Sequence, residues 1–104
     1  MLNPMDEDAE VRAIKHALES YELCHPNAQV TSYRQNSGSI RVRIIDPDFR
    51  KLDKAVRHDL IWEILDPLSE DILSQITVLL LMTPEEAKTS FANMDFENPI
   101  PSRL

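Results

Sequence analysis

Cys24 and His25 stand side by side just before Pro26. A thiol and an imidazole can serve as nucleophile and base, or as two metal ligands. Neighbours along a chain rarely aim their side chains at one point, and no third group is evident beside them. The plainer reading is a helix end running into a proline turn. His58 follows Arg57 in a stretch with helical spacing, and no second histidine or cysteine sits at ligand spacing on it. A packing or capping role is expected for its ring. His16 falls on the charged side of another such stretch and is expected in solvent. Two carboxylate pairs, Asp46 with Asp48 and Glu85 with Glu86, have the composition of an acid–base couple. Such a couple needs carboxyls held close together in unlike environments. Spacing alone does not establish that, and aspartates beside a proline equally serve turns. No catalytic constellation follows, so the expectation is a non-enzymatic protein with no bound metal and no cofactor.

Composition narrows the classes further. The 104 residues suffice for one domain with its own core. Gly38 is the only glycine, which argues against glycine-rich phosphate loops and dinucleotide fingerprints. With one cysteine, the chain cannot close an internal disulfide. The acidic first ten residues lack the basic-then-apolar order of a signal peptide. The longest apolar run, residues 78–82, is far too short to span a bilayer. A cytoplasmic protein is expected.

The elements follow from periodicity and punctuation. Residues 6–22 read as a helix with Val11, Ile14, Leu18 and Tyr21 on one face and acids at its start. Residues 28–34 and 39–46 alternate and form a hairpin about a turn at 35–38, where Gly38 is free to take positive φ. Ile40, Val42 and Ile44 point one way; Arg41, Arg43 and Ile45 point the other. After a loop over 48–53, Asp53 caps a second helix over 54–65, with Val56, Leu60, Ile61, Ile64 and Leu65 as its apolar face. A short helix opens at Ser69–Asp71. Residues 76–82 form the last strand, apolar on both faces and so expected to be central or covered on both sides. Thr83 caps a short C-terminal helix beginning at Pro84. The chain is expected to be one domain over 1–92 with a flexible tail over 93–104. The order α-β-β-α-α-β predicts an α+β two-layer sandwich: a three-stranded mixed sheet with helices on one face.

Two surfaces then stand out. Net charge is −7, but residues 34–57 carry +4 through Arg34, Arg41, Arg43, Arg50, Lys51, Lys54 and Arg57. These are either a solvated face or an anion- or nucleic-acid-contacting set, although the overall charge disfavours nucleic acid. The outward face of the sheet is the other. With Ile45 and one apolar set of the last strand directed out, either Ile76, Val78, Leu80 and Met82 or Leu79 and Leu81 with Thr77, it would offer a partner surface, for which Leu79 and Leu81 are the candidates. A homodimer through that face is the simplest arrangement, with Trp62 as a second anchor.

The run Ser39–Glu86 resembles the BolA family. The strand is SIRVRIID, followed by Phe49. The pair Arg57–His58 opens the helix eight residues later, and Thr83–Pro84–Glu85–Glu86 closes the final strand. The resemblance implies a fold related to the class II KH fold and a monothiol glutaredoxin as partner. It also implies a shared iron–sulfur cluster, ligated by a histidine that opens the last strand. Here that place is Gln75, a poor ligand where thiolate and imidazole are expected. The hairpin loop, Gln35–Asn36–Ser37–Gly38, offers no ligand either, and Lys51 stands where the family has a glycine. The resemblance therefore implies the fold and the positions Arg57, His58 and Gln75, but not the cluster. A KH-type GxxG loop is excluded by the single glycine.

Overall fold

The computed structural model describes residues 8–99, so the expected helix start at residues 6 and 7 and the end of the expected tail, 100–104, lie outside the described residues. Helix α1 (Ala9–Cys24) starts at Asp8, whose carboxylate accepts the N–H groups of Glu10 and Val11. The Arg34 guanidinium beside it holds the Asp8 carboxyl below its ordinary value. Val11, Ile14, Leu18 and Tyr21 are buried, as their three- and four-residue spacing requires. Strands β1 (Gln29–Asn36) and β2 (Ser39–Ile45) pair antiparallel. Their turn closes without positive φ, so Gly38 does not use its conformational freedom. Residues 47–51, which overlap the loop expected over 48–53, wind into a 3₁₀ turn capped by Asp46. Helices α2 (Lys54–Leu65) and α3 (Glu70–Leu73) follow, capped by Asp53 and Ser69. Strand β3 (Ile76–Met82) pairs parallel with β2.

The protein is thus an α+β sandwich on a three-stranded mixed sheet in the order β1-β2-β3. The central strand is β2, which explains why Ile40, Val42 and Ile44 are fully buried. Although it is the most apolar strand, β3 lies at the edge. Its inner residues Leu79 and Leu81 pair with Val42 and Ile44 in register and face the same core. They are not outward interface residues; Val78, Leu80 and Met82 take that side, opposite Arg41, Arg43 and Ile45. A register shift at Thr77 sets this parity.

The inner face meets α1 and α2 around Phe49, Ile61 and Leu65. On α2, Arg57 is buried and Val56 is exposed, so the apolar stripe is narrower than the sequence suggests. Trp62 stands on the outer side of α2, 37% exposed. Thr83 and Glu86 form a reciprocal capping box on α4 (Pro84–Thr89).

The expected tail does not begin at Asn93. Residues Phe91–Glu97 form a further helix, α5, capped by Ser90 and burying Asn93 and Phe96. It lies against the outer face of the sheet over Tyr33, Arg41 and Arg43, while Val78, Leu80 and Met82 on the same side stay half-buried. The Tyr33 hydroxyl donates to the Phe96 carbonyl at 2.8 Å, and the two rings meet edge-on. The Arg43 guanidinium stacks 4.6 Å from the Phe96 ring centre and donates to Asn93 and Glu97, both at 2.8 Å. Polar residues on a strand conceal this docking, because each becomes buriable only once its partner is in place.

Candidate functional site

The edge of β3 is where several sequence-marked residues meet. Arg57 reaches from α2 to the Leu81 carbonyl at 3.1 Å and the Leu52 carbonyl at 3.0 Å, and pairs with Glu86 at 2.7 Å. That guanidinium holds the Glu86 carboxyl below its ordinary value. One residue on, His58 Nε2 lies 3.3 Å from the Leu79 carbonyl, with Nδ1 3.0 Å from the Lys54 carbonyl. Of the alternate carbonyls on this strand edge, that of Leu81 is capped by Arg57, and that of Leu79 by His58 when Nε2 carries the proton, a standard protection against pairing with a foreign strand. This is the local task of the Arg57–His58 pair.

Beside it runs a groove of about 530 Å³. Lys54 and His58 form one wall, β3 residues 79–82 the floor, and the α4–α5 junction the other wall. Phe91 stands at that junction, 84% exposed. The junction falls in the stretch just before the expected tail, so sequence reading passed over Phe91. The signal was present: Ser90 is a helix-capping residue directly before it.

Gln75 does not join Arg57 and His58. It precedes β3 by one residue, about 13 Å along the strand from Leu79. Its amide donates to the Glu10 carboxylate at 2.6 Å and to the Asp71 carbonyl at 3.0 Å. It acts as a strut between α1 and α3.

The basic segment is largely neutralised from within. Arg34 pairs with Asp8 and Glu10, Arg41 with Asp95, Arg43 with Glu97, Arg50 with Glu85 and Arg57 with Glu86. Arg41 and Arg43 are further enclosed beneath α5. Among the described residues, only the side chains of Lys51 and Lys54 in this set lack a hydrogen-bonded or ion-paired partner. Nothing gathers all seven cations on one surface.

A polar cluster that sequence reading kept apart forms at the far end of β2. His25, just past α1, stacks on Tyr21 with ring centres 4.0 Å apart. Its Nδ1 lies 2.8 Å from Asp48 Oδ2 and 3.3 Å from Asp46 Oδ2. The Tyr21 hydroxyl donates to Asp46 Oδ2 at 2.5 Å, and Asp46 Oδ1 accepts the Asp48 backbone N–H. Asp46 is fully buried. Burial, reinforced by Asp46, pushes the Tyr21 phenol far above its ordinary pKa. The four-residue step from Tyr21 to His25 could have revealed the stack. The aspartates lie beyond a hairpin, where spacing carries no information about them.

No known family model and no curated protein matches the chain. Solved structures do. BolA1 from Arabidopsis thaliana superposes with a TM-score of 0.51 at 16% identity, covering 78% of this chain and 98% of that one. The BolA domain of SufE1 from Arabidopsis thaliana gives 0.49 at 20% identity, with 78% and 99% covered. BolA1 from Mus musculus gives 0.49 at 19% identity, with 100% and 85% covered. The first of these, together with the element order, shows that the chain has a BolA-like fold. At the positions where the family resemblance implies cluster ligands, the donors present do not fit an iron–sulfur cluster. Gln75 offers an amide already engaged by Glu10 and Asp71, and residues 35–38 offer neither thiolate nor imidazole. Among the described residues no helix is long and apolar enough to cross a membrane.

Proposed function

We propose that this is a non-enzymatic interaction protein with a BolA-like fold, acting without an iron–sulfur cluster, and that it receives a partner protein in the groove beside β3. The observation that carries the reading is Phe91, 84% exposed beside a groove floored by an apolar strand. Large apolar groups around a concave surface suit a partner's side chains. The strand edge itself is capped by Arg57 and His58, so docking proceeds through side chains and not through strand addition. Lys54 is the cation at the rim without a hydrogen-bonded partner: Glu86 lies within its electrostatic reach but is bonded to Arg57. An apolar, acidic segment of a different protein suits that rim. A second copy suits it less, because each chain carries a net −7 and two copies repel at low salt. The alternative, a nucleic-acid regulator using residues 34–57, has weaker support because its five arginines are ion-paired within the fold.

A photo-crosslinking residue at position 91, with a control at Glu63, tests the surface in cells. Crosslinks to one protein from position 91, absent at 63 and lost with Lys54→Glu, support it. Equal labelling from both positions overturns it. Light scattering at micromolar concentration should give a monomer; a dimer broken by Phe91→Asp would assign the groove to self-association instead. A monothiol glutaredoxin is the partner that the family resemblance suggests trying first. Any complex should form without added iron and sulfide, and a strict requirement for them would refute the cluster-free part of the reading.

A further inference from the structure

The polar cluster at the end of β2 differs from every other ion pair described above. The carboxylates of Asp8, Glu10, Glu86, Asp95 and Glu97 each meet an arginine. Asp46, although fully buried, meets none, and Asp48 lies beside it. Arg50 reaches Asp48 only at longer range and is bonded to Glu85. When His25 is neutral, two carboxylates share this corner with no cation bonded to them. A buried carboxylate without a permanent cation is costly, and a metal ion is one of the few remedies.

We propose that His25, Asp46 and Asp48 form a binding site for a divalent transition-metal ion of the zinc type. The ligand groups already converge: one ligand atom from each of His25, Asp46 and Asp48 lies within 4.8 Å of the others. Bonds of ~2.0–2.1 Å at tetrahedral angles place ligand atoms about 3.3 Å apart. The His25–Asp46 separation is 3.3 Å, so that edge is preformed. The His25–Asp48 separation, 2.8 Å, must open by about half an ångström on this geometry. Asp48 can supply that movement because its side chain is 58% exposed. The outer shell is also built. The Tyr21 hydroxyl and the Asp48 N–H hold the Asp46 carboxylate, and the Tyr21 ring fixes the imidazole plane.

Imidazole with two carboxylates suits zinc or manganese better than magnesium, which prefers oxygen ligands and its own waters. Entry of the ion releases to solvent any proton carried by Nδ1. Three protein ligands leave a fourth position open to water from the exposed side. The bound ion would staple the end of α1 to the end of β2.

Isothermal titration of the full chain with zinc chloride near pH 7.5 tests this. One ion per chain is expected, with little response to magnesium chloride. Asp48→Asn and His25→Gln both act at the accessible side of the cluster and leave the core intact. Each should weaken zinc binding by at least about tenfold. Tyr21→Phe removes only an outer-shell hydroxyl and should weaken it about 10–100-fold. Cys24→Ser and His16→Ala should change nothing. Loss of binding in either of those two, unchanged binding in Asp48→Asn and His25→Gln, or no zinc heat at all overturns the proposal. None of these readouts depends on the groove beside β3, so either reading can fail without the other.

Discussion

The two faces of the sheet are buried by different means. The inner face, with Ile40, Val42 and Ile44, is closed by apolar side chains of α1 and α2. The outer face is covered over Tyr33, Arg41 and Arg43 by one seven-residue helix using ring contacts, hydrogen bonds and ion pairs. Apolar burial is non-directional and tolerates small shifts. A polar lattice works only if every partner is in place. The Arg43 Nε, buried with no partner, shows how narrowly that condition is met. The inner face should therefore set global stability, and the outer face should open locally.

The largest expected effect is on the inner face. Ile44→Ala should cost about 2–5 kcal/mol, read from denaturant unfolding, because it empties space in a fully buried site. Arg57→Ala should come next. It leaves the Leu52 and Leu81 carbonyls without this donor and removes packing on Phe49, so about 1–3 kcal/mol is expected. Lysine should not rescue it, since one ammonium cannot span the same acceptors. Phe96→Ala should lie below both in global stability while abolishing hydrogen-exchange protection over residues 91–97. Equal loss of protection in α1 would break the distinction between the faces.

Acid should weaken the fold partly through Glu86. Its folded pKa lies below the ordinary 4.5, chiefly through the hydrogen bond from Arg57. The stabilisation is thus present above about pH 4.5 and is lost as pH falls through the folded value. Unfolding midpoints between pH 7 and 3 should converge for wild type and Glu86→Gln as acid is added. The smallest effect is a gain. Gly38 has no positive φ and an added Cβ would meet nothing within 4 Å. Gly38→Ala should stabilise by about 0.4–1 kcal/mol through the unfolded chain.

The candidate sites were legible only in pieces. Asp46, Asp48, His25 and His58 each stand out by type, and Arg57–His58 by resemblance. What none of them reveals is its partner. His25 is 21 residues from Asp46, and Phe91 stands just before the segment whose prolines and asparagines suggest a tail.

By itself the sequence determined the order of the strands and α-helices from α1 to α4, the caps at Asp53 and Thr83, the buried stripe of α1 and the inward face of β2. These depend on residues three or four apart along a helix or two apart along a strand, so local geometry decides them. Tertiary structure alone decided the edge position of β3, the inward turn of Leu79 and Leu81, the docking of α5 and the internal pairing of the arginines. It also decided that a histidine after α1 and two aspartates after β2 share one corner. Those outcomes depend on which surfaces meet after the chain has folded, and on polar groups whose burial is tolerable only once their partners arrive.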